Sequence, residues 1–345
     1  MTRCVLLLGA LTIQLSTLAS PRESPLSLLL PRPAQISVRV GEVHAAALAR
    51  FTEVVADVGA PAGKPAEESY RLEISPDGVR LTAPTAKGLR YGHVTLRQLQ
   101  ALAAPGSVPA CEIVDWPALE WRGLLLDSGR NYADLALIRE TIDLLARYKL
   151  NVFHWHLTDH HGWRLESKRF PELQSSVAFE RQIGRYYTQA EFRETVAYAA
   201  ERGVTIVPEI DVPGHSGAFR RAFGFKSMRD PGVNEKVCAL IDELCGLEPP
   251  DRMPIIHLGT DEARKAEEKA DDAAYALWAQ QVTANGRTVM GWWPGHRLET
   301  SGPVIQETWY ETVAPTGPYV DATCYYIDSF DPAGLLAQAA FKRPC

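Results

Sequence analysis

Val152-Phe153-His154-Trp155-His156-Leu157 reads as a buried strand, and it runs straight into Thr158-Asp159-His160-His161-Gly162-Trp163-Arg164, a segment of acidic, imidazole and aromatic side chains. Apolar residues recur at helical spacing on both sides of it, over 135–148 before and 189–202 after, and another strand candidate follows at 205–208. Working outward, strand candidates stand at 123–126, 255–258, 289–292, 304–306 and 322–325, with further helix candidates at 233–245 and 263–284. Alternating strand and helix units imply a parallel sheet covered by helices, here closed as a (β/α)8 TIM-type barrel. An open doubly wound sheet is the rival, but no Gly-rich phosphate loop follows the strand at 123–126. The strand candidates number seven, one fewer than such a barrel needs.

Ahead of the barrel, residues 35–115 read as a small α/β unit. The stretch 45–58 looks helical, 70–74 alternates like a strand, Ser75-Pro76-Asp77-Gly78 signals a turn, 79–83 returns, and 88–103 is apolar at helical spacing. Trp116-Pro117 marks the boundary, which divides the chain into an accessory domain at 25–115 and a barrel at 116–345. At the N-terminus, Arg3, the apolar run Cys4–Ile13 and the small residues Ser16-Thr17-Leu18-Ala19-Ser20 form the pattern of a cleaved signal peptide over 1–20. The run is too short and polar for a membrane span, so the mature chain is expected to be exported, to periplasm or medium, without one. Cys111, Cys238, Cys245, Cys324 and Cys345 would remain. Cys238 and Cys245 on one helix would have Cα atoms about 10 Å apart, too far to bridge, so free thiols are expected.

Hydrophobic residues make up 46% of the 345 residues and charged residues 23%, ordinary for a globular chain, and the net charge of −6 gives no basic face for nucleic acid. Chemistry must therefore be sought locally, at the C-terminal ends of the barrel strands where such folds build their sites. Those ends are polar again and again: Asp127-Ser128-Gly129-Arg130; His154 to Arg164; Pro208-Glu209-Ile210-Asp211-Val212-Pro213-Gly214-His215; His257-Leu258-Gly259-Thr260-Asp261-Glu262; Trp292-Trp293; Thr308-Trp309; and Tyr325-Tyr326-Ile327-Asp328. Asp261-Glu262 alone could equally be the first-turn acids of a following helix. Carboxylates, an arginine and tryptophans converging on successive loops suit a sugar, which stacks on aromatic rings and offers hydroxyls to charged partners. Paired carboxyls in different surroundings also suit glycoside hydrolysis.

At these residues the chain resembles glycoside hydrolase family 20, the β-N-acetylhexosaminidases, from about residue 25 onward. The resemblance rests on Arg122 to Arg130, His154 to Asp159 with Gly162-Trp163-Arg164, Pro208 to His215 and His257 to Glu262, in that order. It implies a retaining enzyme that removes terminal N-acetylglucosamine or N-acetylgalactosamine from oligosaccharides or glycoconjugates, with no cofactor and no metal. The substrate's own acetamido oxygen attacks in that mechanism. By resemblance, Glu262 is the general acid and base, Asp261 orients the acetamido group, and Asp159 with His215 tunes Glu262. Arg130 grips the sugar hydroxyls, Trp292 and Trp309 wall the acetamido pocket, Tyr326 donates to its carbonyl and Asp328 takes a further hydroxyl. The sequence departs from the family at Thr260, where a second Gly is usual; a β-branched residue is expected to hold a negative φ there. It also departs at the C-terminus, where an eighth strand with a Trp and an acidic residue is expected, so the barrel is read as incomplete. Two other readings are a non-catalytic carbohydrate-binding relic and a zinc amidohydrolase using His154, His156, His215, His257 and Asp261.

Overall fold

The computed structural model describes residues 24–263, 265–296, 298, 300–309 and 315–323, in two compact units. The first holds residues 24–60 and 69–116. Its strands are β1 (Gln35–His44), β2 (Phe51–Val55), β3 (Tyr70–Ser75), β4 (Gly78–Ala83) and β5 (Ser107–Asp115), with helix α1 (Ala86–Ala103) between β4 and β5. The sheet order is β1-β5-β3-β4-β2, antiparallel except for the β2–β4 pair. Alternation on β3 and β4 buries Leu72, Ile74, Val79 and Leu81 against one face of α1, whose start is capped by Thr85. The helix expected at 45–58 is not there. A 3-10 turn at Ala45–Ala49 gives way to β2, because the Phe51-Thr52-Glu53-Val54-Val55 run has the β-branched and aromatic character that pairs along β4.

The second unit begins with β6 (Gly123–Asp127), α2 (Leu135–Arg147), β7 (Val152–His156), and the short pair β8 (Thr158–Asp159) and β9 (Gly162–Trp163). It continues through α3 (Gln189–Glu201), β10 (Thr205–Val212), α4 (Gly217–Phe223), α5 (Val233–Cys245), β11 (Ile255–Gly259), α6 (Asp272–Ala284), β12 (Thr288–Trp293), β13 (Val304–Thr308) and β14 (Tyr319–Asp321). Seven of these strands form one parallel sheet in the order β14-β13-β12-β11-β10-β7-β6, the sequential order of a TIM-type barrel wall. Its central strands are buried along their length, as a parallel sheet under helices requires: every residue of β7 and all but the first of β10 are buried. Among the described residues β6 and β14 are the outer strands, and Leu125 on β6 is 37% exposed.

Two expectations for this unit change. The helix read at 263–284 starts only at α6, since a 3-10 turn at Ala266–Glu268 precedes it and buries the Glu268 carboxylate 3.4 Å from His160 Nε2. Asp261 and Glu262 therefore do not cap that helix. The strand read at 322–325 lies earlier, as β14, where residues 319–321 pair with 306–308. Cys111, Cys238 and Cys245 are free thiols, and Cys324 and Cys345 lie outside the described residues. Among the described residues no helix is long and apolar enough to cross a membrane.

Candidate active site

The loop that carries Arg130 is fixed from below. Trp155 Nε1 donates to Ser128 Oγ at 2.9 Å, and the Tyr187 hydroxyl lies 3.0 Å from the same oxygen and 2.5 Å from the Ala133 carbonyl. Arg164 is fully buried with a guanidinium that donates to the carbonyls of Ser128, Gly129, Arg181, Gln182 and Arg185. One buried cation thus staples the 128–130 turn to the 181–185 loop through backbone oxygens. Arg130 then bridges Asp127 (Nη1 to Oδ2, 2.5 Å) and Asp159 (Nη2 to Oδ2, 3.3 Å). Burial opposes its charge, but those two carboxylates outweigh burial and raise its pKa further.

From Asp159 a line of contacts leads to Glu262. Asp159 Oδ2 is 3.1 Å from His215 Nδ1, and His215 Nε2 is 3.0 Å from Glu262 Oε2. Burial would lower the His215 pKa; the hydrogen bond to Asp159 and the charges of Asp211 and Asp159 overcome it and raise it to about 9. Burial likewise pushes against ionisation of Asp159, and His156, His215 and Arg130 together hold it far below the carboxylate range. Asp261 goes the other way. Burial, then the charge of Glu209, raise it to about 7, and its Oδ1 is buried without a hydrogen-bond partner among the described residues. Asp211 is also raised, by burial and the charges of Glu209 and Asp261.

The backbone that presents Asp261 and Glu262 is sharply turned. Gly259, Thr260 and Glu262 have φ of 71°, 79° and 45°, and His215 opposite them has 48°. The negative φ expected at Thr260 is overturned. Its peptide is held on both sides: Thr260 N donates to Val212 O at 3.2 Å and Thr260 O accepts from His296 N at 2.8 Å. The segment is also pressed from the β10 loop, where a Cβ on Gly214 would stand 2.5 Å from the Asp261 carbonyl oxygen. These contacts dictate the left-handed turn that Gly would adopt freely and Thr adopts under strain.

Beneath the site lies a buried polar layer. His154 is placed between Glu209 (Nε2 to Oε2, 2.9 Å) and Glu307 (Nδ1 to Oε2, 3.0 Å). His156 Nδ1 meets Glu209 Oε2 at 2.7 Å, His257 Nδ1 lies 3.2 Å from Glu209 Oε1, and Trp292 Nε1 donates to that oxygen at 2.8 Å. Three donor groups have metal-like spacing: His154/His257/Glu307, Asp127/His156/Asp159 and His156/Glu209/Asp211. Among the described residues none joins His215 or Asp261 to His154, as the zinc reading needs, and imidazole–carboxylate pairing accounts for the spacing within them.

Of the residues singled out in the sequence, Arg130, Asp159, His215 and Glu262 are brought into one contact network, with Asp261 coupled to it. Trp292 is the next-to-last residue of β12, half-buried and tied to Glu209, and Trp309 follows β13 with its Nε1 donating to Pro294 O at 3.1 Å. Tyr326 and Asp328 lie outside the described residues. Sequence reading gave no role to Asp127, Glu209, Asp211 or Glu307. The usable signal was a carboxylate inside an otherwise apolar strand, which must find a buried partner.

Comparison with known proteins follows the same lines. The model of the glycosyl hydrolase family 20 catalytic domain matches residues 119–234, and that of family 20 domain 2 matches residues 11–116. A β-hexosaminidase of Akkermansia muciniphila is 33% identical over 66% of this chain and 56% of its own length. A β-N-acetylhexosaminidase of Cellulomonas fimi is 31% identical over 76% of this chain and 55% of its own. The chain thus spans little more than half the length of these relatives. The structure of Streptomyces plicatus N-acetyl-β-hexosaminidase in complex with thio-NAglucal superposes with a TM-score of 0.70 at 27% identity, covering 85% of this chain and 71% of that one. With the two domain models matched in order and a parallel barrel wall behind the site, the chain belongs to glycosyl hydrolase family 20.

Proposed function

We propose that this chain is an exported, retaining exo-β-N-acetylhexosaminidase acting on terminal N-acetylglucosamine or N-acetylgalactosamine of oligosaccharides or glycoconjugates, by substrate-assisted catalysis. The observation that carries the reading is the unbroken line Asp159–His215–Glu262 beside a buried Asp261. In the first step the acetamido carbonyl oxygen attacks the anomeric carbon and the glycosidic C–O bond breaks. Glu262 gives its proton to the leaving oxygen. Asp261 as carboxylate accepts the acetamido N–H and offsets the positive charge that develops on the oxazolinium ring. In the second step Glu262 takes a proton from water, whose oxygen attacks the anomeric carbon and reopens the ring with retention. Arg130, already clamped by Asp127, presents the rest of its fork to the sugar's 3- and 4-hydroxyls. Trp292 and Trp309 wall the acetamido group, and Tyr326 and Asp328 take the polar ends of the sugar, as the family resemblance implies.

A chromogenic β-N-acetylglucosaminide tests this. Cleavage by the unmodified chain and a loss of about 10²–10⁴-fold in Glu262→Gln are expected for a general acid. Undiminished cleavage by Glu262→Gln would sink the assignment of the acid. Sugar binding with no turnover by the unmodified chain would replace the enzyme with a carbohydrate-binding relic.

A further inference from the structure

The line that ends on Glu262 does not begin at Asp159. Followed the other way it continues from Asp159 Oδ2 to His156 Nε2 (3.4 Å), from His156 Nδ1 to Glu209 Oε2 (2.7 Å), from Glu209 Oε2 to His154 Nε2 (2.9 Å) and from His154 Nδ1 to Glu307 Oε2 (3.0 Å). Carboxylate and imidazole alternate at every step, through residues of β13, β7, β10 and β8 and the two site loops. Glu209 and Asp159 side chains are fully buried and those of His154, His156 and Glu307 no more than 7% exposed, so water does not screen the sequence of charges.

We propose that Glu307, His154, Glu209 and His156 are positioning residues that extend the Asp159–His215 relay across the barrel interior and set the proton supply of Glu262; this rests on the activity proposed above. The reason is geometric. A neutral imidazole donates from one nitrogen only, whereas His156 hydrogen-bonds a carboxylate from each nitrogen and His154 stands 2.9 and 3.0 Å from one on either side; His215 lies between Asp159 and Glu262, with Arg130 Nη2 also 3.3 Å from its Nδ1, and in this proposal all three are imidazoliums. Three imidazoliums then balance Glu307, Glu209 and Asp159, and the chain is neutral only while Glu262 holds the proton it will donate. Loss of that proton leaves one uncompensated charge at the partly exposed end of an otherwise buried line, which favours its recovery from water in the second step. The other charged groups facing the line are Asp127, Arg130, His160, His161, Asp211, Asp261 and His257; Arg130 meets Asp127 with one nitrogen and stands 3.3 Å from both Asp159 and His215 with another.

The direct test needs no activity. Long-range 1H–15N spectra of the histidine rings, recorded from pH 5 to 10, should show His154, His156 and His215 doubly protonated at pH 7.5. In Glu307→Gln, His154 should lose its proton at lower pH, and that step should appear as an inflection in the His156 and His215 curves, because coupled sites titrate together. Neutral His154 or His156 at pH 7.5 in the unmodified chain overturns the proposal, even if no variant folds. So does a His154 step that leaves no trace at His215. If the unmodified chain cleaves glycosides, Glu307→Gln should lower kcat/KM for an unactivated sugar leaving group at least about threefold more than for a nitrophenyl one, since only the former needs the acid fully. An equal fall on both substrates would assign Glu307 to folding alone. Absence of cleavage by the unmodified chain would defeat the activity reading and leave the ring spectra to decide the relay.

Discussion

Thr260→Gly should make this protein more stable, although it deletes a buried side chain. Thr260 is 2% exposed, stands at φ 79°, and its Oγ1 is buried with no hydrogen-bond partner among the described residues. The left-handed conformation costs a residue with a Cβ roughly 1–2 kcal/mol. An unpartnered buried hydroxyl costs about 1–3 kcal/mol. Against these, glycine loses about 0.5–1 kcal/mol of extra chain entropy on folding, and the methyl group gives up about 0.8 kcal/mol of burial. The balance is a stabilisation of about 2 kcal/mol, or roughly 4–8 °C in thermal midpoint for a unit of this size. Thr260→Ala separates the two contributions. It removes the hydroxyl but keeps the Cβ, so it should gain about 1 kcal/mol, with glycine adding somewhat under 1 kcal/mol more. Equilibrium urea unfolding of the three proteins is the assay, with the slope m compared to ensure that the same surface unfolds. A glycine variant no more stable than the alanine one would refute the claim that backbone strain is stored here. A glycine variant less stable than the parent would refute the whole account.

Asp261, raised to about 7 by burial and the charge of Glu209, should bind the acetamido N–H only when ionised, so the affinity for N-acetylated sugar analogues should climb through pH 6–8 and be flat in Asp261→Asn; inhibition constants across that range decide it. Because its pKa is raised from the ordinary carboxyl value, Asp261 contributes stability below about pH 4 that is lost as pH rises through 7. His154 and His215, both raised to about 9, contribute stability that is present below about pH 6.5 and lost as pH rises through 9, so unfolding free energy should fall by on the order of a few kcal/mol between pH 7 and 10; an unchanged urea midpoint would contradict the imidazolium assignment. Arg164→Met should lower stability by at least about 3 kcal/mol, because five backbone carbonyls lose a charged donor; a midpoint shift within error would show that water replaces it.

Much of the barrel was legible because its local signals and its tertiary demands agree. The helix read at 233–245 is α5 at both ends, and the apolar runs that became β7, β10 and β11 are buried as parallel strands must be. Failures fell where a long-range partner decides. β1 is exposed at most of its positions, so no alternation marks it, yet it pairs from Gln35 with Val114 far along the chain. β2 was hidden behind an alanine run, and only its pairing with β4 reveals it. In the site, the polar strand ends marked Asp159, His215 and Glu262 as candidates, and only the family resemblance joined them. Glu209 and Glu307 were not legible, because whether a strand residue faces inward depends on register, which the sequence leaves open.

The contrast between Asp261 and Glu262 follows from one of the places where the sequence reading of the backbone was wrong. Had 263–284 been a continuous helix with Thr260 at negative φ, the two carboxylates would sit together at a helix N-terminus, similarly solvated and interchangeable. Instead positive φ at Thr260 and again at Glu262 sends neighbouring side chains to different surroundings. Asp261 is 8% exposed and raised to about 7, whereas the Glu262 side chain is 27% exposed with His215 3.0 Å away. One carboxyl is therefore buried, while the other stands partly exposed, 3.0 Å from an imidazole that is backed by Asp159. A substrate-assisted mechanism needs that asymmetry, because the acetamido group must find a receptive carboxylate at the moment its neighbour is still protonated. The strain at Thr260 is thus the structural origin of the asymmetry, and variants that flatten this turn should blur the two roles even with every polar side chain retained.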